Sequence, residues 1–116
     1  MEIKKSEKGS VSILSLKGRL DLASGATLKD EIKALTDAEC TLIHLNLCDV
    51  DFINSSGLGV LVSIMKEIRI QKGRLTLSNL ASYVQEIFEI TQLSHIFEIF
   101  TSEEEAINSY QPVSSN

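Results

Sequence analysis

The sequence predicts an α/β domain: a mixed sheet of four to five strands with helices packed mainly on one face. Three observations lead there. Strand-like segments alternate with segments whose apolar residues recur at helical spacing, and strands separated by helices imply parallel crossovers. Two strands, residues 41–48 and 74–78, are apolar on one side and polar on the other, whereas strands covered by helices on both faces read apolar throughout. The chain also begins with two strand-like segments and no helix between them, which supplies an antiparallel edge.

Residues 2–6 are the candidate edge strand. In 10–16, Val11 and Ile13 share one side with Ser15, and Leu14 and Leu16 share the other with Ser12. That strand therefore lies inside the sheet with some cover on both faces. Leu28, Ile32 and Leu35 repeat at i, i+4, i+7, a helix with Ser24 or Thr27 as N-cap. In 41–48, Ile43, Leu45 and Leu47 oppose Leu42, His44, Asn46 and Cys48, and the strand ends between 48 and 52. A second helix starts near Ser56, carries Leu58, Leu61, Met65 and Ile68, and stops at Gly73. After the strand at 74–78 comes a helix bearing Val84, Ile87 and Phe88, then a short closing strand at 97–100. The Thr101-Ser102-Glu103-Glu104 spacing suits a capping box for a last helix. One domain is expected over 1–110, with a frayed tail at 111–116.

The 116 residues suffice for one core, and 43% hydrophobic with 23% charged residues argues against general disorder. A net charge of −5, with Lys4-Lys5 the longest basic grouping, speaks against a nucleic-acid partner. Cys40 and Cys48 have no companion cysteines, and His44 and His95 complete no familiar metal spacing. Reduced, packed thiols are expected, and no metal or cofactor. The charged N-terminus lacks a signal-peptide core and the apolar stretch at 60–65 is far too short to span a bilayer. A cytoplasmic protein without membrane insertion is the expectation.

The chemistry concentrates at Asn54-Ser55-Ser56-Gly57-Leu58-Gly59, a loop feeding a helix N-terminus. A nucleophilic serine needs a base within reach and a group to orient it. His44 falls mid-strand, His95 lies in the turn before the last strand, and the G-x-S-x-G elbow is absent. A phosphate-binding loop lacks its Lys-Ser/Thr pair. A phosphorylated serine fits better, because helix amides and dipole tolerate the added charge of about −1.5 to −2. A partner docked over it would not, since burying an unpaired charge is costly. Spacing alone leaves this beside a plain capped helix start, with Gly57 supplying a positive φ and Gly59 a close helix–sheet approach.

The string D-V-D-F-I-N-S-S-G-L-G-V-L resembles the signature of the STAS domain, in particular of the bacterial anti-sigma factor antagonists. G-R-L-D at Gly18 to Asp21 matches that family's G-x-[LIV]-D; G-R-L-T-L-S-N-L and I-F-E-I-T-Q-L-S-H-I-F-E-I-F resemble its later segments. The resemblance implies a switch without catalytic residues or cofactor. The unmodified domain binds an anti-sigma factor that is also a serine kinase, freeing the sigma factor; phosphorylation releases the partner, and a metal-dependent serine phosphatase resets the cycle. It implies Ser55 as phosphoacceptor, and Asp21, Asn54, Ser56, Gly57, Leu58 and Gly59 as the partner surface. Two departures stand out: Asn54 where the family has aspartate, and Gln92 where relatives commonly carry glycine. The alternative is a STAS subunit docking on a transporter ATPase, as in lipid trafficking, or on a stress-signalling scaffold.

Overall fold

The structure, a computed structural model, describes residues 1–110. The expected tail at 111–116 lies outside the described residues. Along the chain run β1 (Glu2–Lys8), β2 (Val11–Leu20), α1 (Leu22–Asp37), β3 (Leu42–Ile53), α2 (Ser55–Ile70), β4 (Arg74–Ser78) and α3 (Ser82–Ile90). A 3₁₀ turn (Leu93–His95), β5 (Glu98–Phe100) and α4 (Glu103–Asn108) follow. The five strands lie in the order β1-β2-β3-β4-β5, with β1 antiparallel to β2 and all other pairs parallel. The C-terminal ends of β2 to β5 therefore share one edge of the sheet, where any site built on strand-end loops must lie.

The main core is aliphatic. Leu14, Leu16 and Leu20 of β2 and Ile43, Leu45 and Leu47 of β3 meet Leu28 and Ile32 of α1 and Leu61, Ile64 and Ile68 of α2. Phe88 of α3 packs edge-on against Phe97 at 5.6 Å between ring centres. A smaller cluster on the other face joins Val11 and Ile13 to Ile107 of α4, with Leu42 and Tyr110 at its rim. Helices thus lie mainly on one face, but α4 covers the middle of the second.

Several boundaries differ from the sequence expectation. Strand β2 runs four residues past Leu16, because Leu20 still pairs with Ile53 across two irregularities in register. Gly18, at φ +116°, occupies one of those irregularities, a conformation that favours glycine. Helix α1 begins earlier than expected and is capped by Asp21, not by Ser24 or Thr27. Ser24 instead completes the box, its hydroxyl oxygen accepting from the Asp21 N–H at 3.0 Å. Likewise Ser102, not Thr101, caps α4 and accepts from the Glu105 N–H at 3.1 Å. Gln92 sits at φ 64° just after α3, a left-handed position where glycine would avoid a steric penalty.

Candidate functional site

Leu20 and Ile53 stand opposite one another at the ends of β2 and β3. Each strand then turns into a helix through one residue, Asp21 into α1 and Asn54 into α2. Both caps are extended, and both accept from the third helical N–H: Asp21 Oδ1 from Ser24 at 3.1 Å, Asn54 Oδ1 from Gly57 at 2.9 Å. Two helix N-termini lie side by side, and the positive ends of both dipoles face the same patch.

Gly57 fixes how closely the second helix approaches. A Cβ there would collide with the Leu20 carbonyl oxygen, and the Asn54 N–H donates to that same carbonyl at 3.4 Å. This corrects the expected division of labour, since neither Gly57 nor Gly59 has a positive φ. Gly57 provides the close approach and has no positive φ, while a Cβ on Gly59 would meet open space. Gly57 is buried, so it shapes a partner surface only by positioning its neighbours.

Asn54, Ser55, Ser56 and Gly59 are exposed, and Leu58 and Asp21 are half-buried. Among the described residues no hydrogen bond engages either serine hydroxyl; the loop is held through the Asn54 side chain and the Leu20 carbonyl. With the Gly57 N–H satisfied by its cap, the N–H groups of Ser55 and Ser56 are left as helix-start donors.

Three residues that the motif did not single out frame this edge. Arg19 stacks 3.9 Å above the Phe52 ring, and its Nε lies 4.0 Å from Asp21 Oδ2. The Ser24 backbone N–H and hydroxyl hold the Asp21 carboxyl below the usual carboxylate range, with Arg19 adding to the effect. Leu22 is 70% exposed on one flank, and Tyr83, 45% exposed on the other, donates its hydroxyl to the Ile53 carbonyl at 3.4 Å. The signal for Arg19 lay in the charges: it is the one cation of the Gly18–Asp21 quartet.

A second serine has the base that Ser55 lacks. His44 is fully buried beneath α4, its ring nitrogens 2.7 Å from Thr76 Oγ1 and 2.7 Å from Ser78 Oγ. Tyr110 donates its single hydroxyl proton to the Ile43 carbonyl at 2.8 Å, so Thr76 donates to Tyr110 and accepts from His44 Nδ1–H. Nε2 is then the acceptor for Ser78. Burial pushes the imidazole down to about 4, so it is neutral at pH 7. His95, in the turn before β5, lies toward the opposite end of the sheet. Neither imidazole serves Ser55.

Cys48 is exposed, against expectation, because β3 runs on past Asn46 where its pairing with β4 ends; Cys40 is half-buried. No cluster of three or more potential metal ligands occurs among the described residues. No helix among them is long and apolar enough to cross a membrane.

Comparison with known proteins follows the same lines. The family model for the STAS domain matches residues 2–106. The chain is 30% identical over 99 residues to the anti-sigma-B factor antagonist of Listeria monocytogenes, a match covering 85% of this chain and 86% of that one. It is 32% identical over 91 residues to the anti-sigma-B factor antagonist of Bacillus subtilis, covering 78% and 83% respectively. The Bacillus protein SpoIIAA shares the fold at 23% identity. Its unphosphorylated form gives a TM-score of 0.76 over 97% of this chain and 100% of that one, its phosphorylated form 0.74 over 95% and 100%.

Proposed function

The chain belongs to the STAS domain family, among the anti-sigma factor antagonists, and from that membership we propose that it is a binding module switched by phosphorylation of Ser55. Its unmodified form binds an anti-sigma factor that is a serine kinase and so frees a sigma factor in the cytoplasm. Transfer makes a bond from Ser55 Oγ to the γ-phosphorus of ATP, breaks the bond to ADP, and releases the hydroxyl proton. A serine phosphatase reverses the modification by hydrolysis. The chain is substrate and ligand in this cycle and contributes no catalytic residue.

The observation that supports this most is the setting of Ser55: an exposed hydroxyl, without a hydrogen-bond partner among the described residues, at the first position of a helix whose start is locked onto β2 by Gly57 and Asn54. A phosphoryl group can be added without disturbing the core. Helix-start donors and two dipoles favour the anion locally. A partner covering Asp21, Ser56, Leu58 and Leu22 would have to bury it. An unpaired charge buried in an interface costs about 3 kcal/mol or more, at least a hundredfold in affinity.

The test is to incubate the chain with ATP and the anti-sigma factor that co-purifies with it, and to locate phosphate by mass spectrometry. Phosphate on Ser55 is expected, with Ser55→Ala retaining affinity for that factor and Ser55→Asp losing about a hundredfold by titration calorimetry. Phosphate only on Ser56, or equal affinity for both variants, overturns the assignment. Capture of a transporter ATPase in place of a kinase supports the docking alternative.

A further inference from the structure

We propose that Arg19 is the counter-ion of phosphorylated Ser55, drawn away from Asp21 and the Phe52 ring when the phosphoryl group arrives. The inference rests on the Ser55 reading and adds the residue that sets how the modified surface differs from the unmodified one.

The two strand ends that flank Ser55 carry one cation. They are segments 18–24 and 50–60, whose charged residues are Arg19, Asp21 and Asp51. A phosphate placed between them joins two carboxylates and that single cation. The first turns of α1 and α2 carry no acidic side chain, and the carboxylate that approaches Arg19 in the unmodified chain is the cap Asp21.

The geometry makes Arg19 available. Arg19 pairs with Phe52 in the β2–β3 register, so its backbone lies roughly 4.8 Å from the neighbouring strand that leads into Ser55. Its side chain is 63% exposed and makes no hydrogen bond to Asp21; the 4.0 Å approach is through Nε alone. Asp21 has turned its other oxygen inward, where the Ser24 N–H holds it at 3.1 Å. The present pair is therefore loose. A phosphoryl group offers nearly twice the charge and three oxygens matched to the guanidinium fork. Capture would uncover the Phe52 ring and leave Asp21 without its cation. Phosphorylation then rewrites three side chains of the surface, not one.

The experiment installs phosphoserine at position 55 during translation, so no kinase is involved, and follows the second phosphate ionisation by ³¹P NMR. Arg19→Gln is expected to raise that pKa by several tenths of a unit, up to about 0.7, the scale of an exposed ion pair. Arg19→Lys, which keeps the charge but not the fork, should restore part of the difference. Equal values in the parent and Arg19→Gln chains overturn the proposal. Asp21→Asn, which preserves a competent cap, tests the exchange. Removing the carboxylate should lower the pKa more when Arg19 is present than in Arg19→Gln. An equal drop in both backgrounds means that Arg19 is not taken from Asp21. Because the phosphate is placed directly, failure of any kinase to modify Ser55 would sink the proposed function and leave this result standing.

Discussion

Ser78 and Ser55 divide between them what a reactive serine needs. Ser78, the last residue of β4, has an imidazole nitrogen 2.7 Å from its hydroxyl and no exposure to solvent. Ser55, the first residue of α2, is open to solvent and has no base against it among the described residues. A hydroxyl sealed under α4 can meet no substrate, however well its proton is placed. An exposed hydroxyl with no base beside it must be acted on by an enzyme that brings its own. The contrast supports reading the molecule as a substrate and a docking surface.

Acid separates the two regions most strongly. His44 has a folded pKa of about 4 against an ordinary 6.5, because its charged form is penalised by burial. The unfolded chain therefore binds a proton that the folded chain refuses. Stability present above pH 6.5 is lost as the pH falls toward 4, by roughly 3 kcal/mol from this residue. Urea unfolding between pH 7 and 4 should show that slope, and His44→Gln should flatten it. A parent and variant with parallel slopes would mean that His44 is free to protonate, which the sealed arrangement forbids.

Next in size is Gly57→Ala. The added methyl meets backbone at Leu20, which cannot swing aside as a side chain could. Forcing extra volume into such a contact costs about 1–3 kcal/mol, visible as a lowered thermal midpoint. Gly59→Ala, facing open space inside a helix, should leave the midpoint unchanged or raise it. Were the two alanines to behave alike, the Ser55 end would be a loose loop and not a platform pinned to β2.

How far the sequence revealed these regions depends on how local their causes are. The bounds of β4 were legible because Leu75 and Leu77 alternate with polar residues in a short, isolated run. The hydroxyl-rich turn at Asn54-Ser55-Ser56 was legible because it immediately precedes an apolar stripe. By contrast, Lys17-Gly18-Arg19 breaks the alternation at a register irregularity and hid the rest of β2. The close approach expected of Gly59 belongs to Gly57, and neither has a positive φ, since only the Leu20 carbonyl, far away in sequence, tells the two apart. The burial of His44 was hidden as well. Its partners lie 32 and 34 residues away, and its lid, α4, is six residues long with only Ala106 and Ile107 turned inward. Two inward residues are too few to register as periodicity.

The smallest effect is the sharpest test of the division. Ser78→Ala strips His44 Nε2 of its donor inside a closed site, and an unsatisfied buried acceptor costs about 1–3 kcal/mol. Ser55→Ala removes a hydroxyl with no hydrogen-bond partner among the described residues, and an exposed change of that kind stays within about 0.5 kcal/mol. Chemical unfolding of the two variants side by side checks the pair. A Ser55→Ala cost approaching that of Ser78→Ala would show that the hydroxyl already serves the fold. A side chain with a structural task cannot take up a phosphoryl group without penalty, so modification would then loosen the domain as well as its grip on a partner. A near-zero cost leaves the hydroxyl idle in the unmodified chain, and an idle, exposed hydroxyl on a locked helix start can change the surface charge while the core stays as it was.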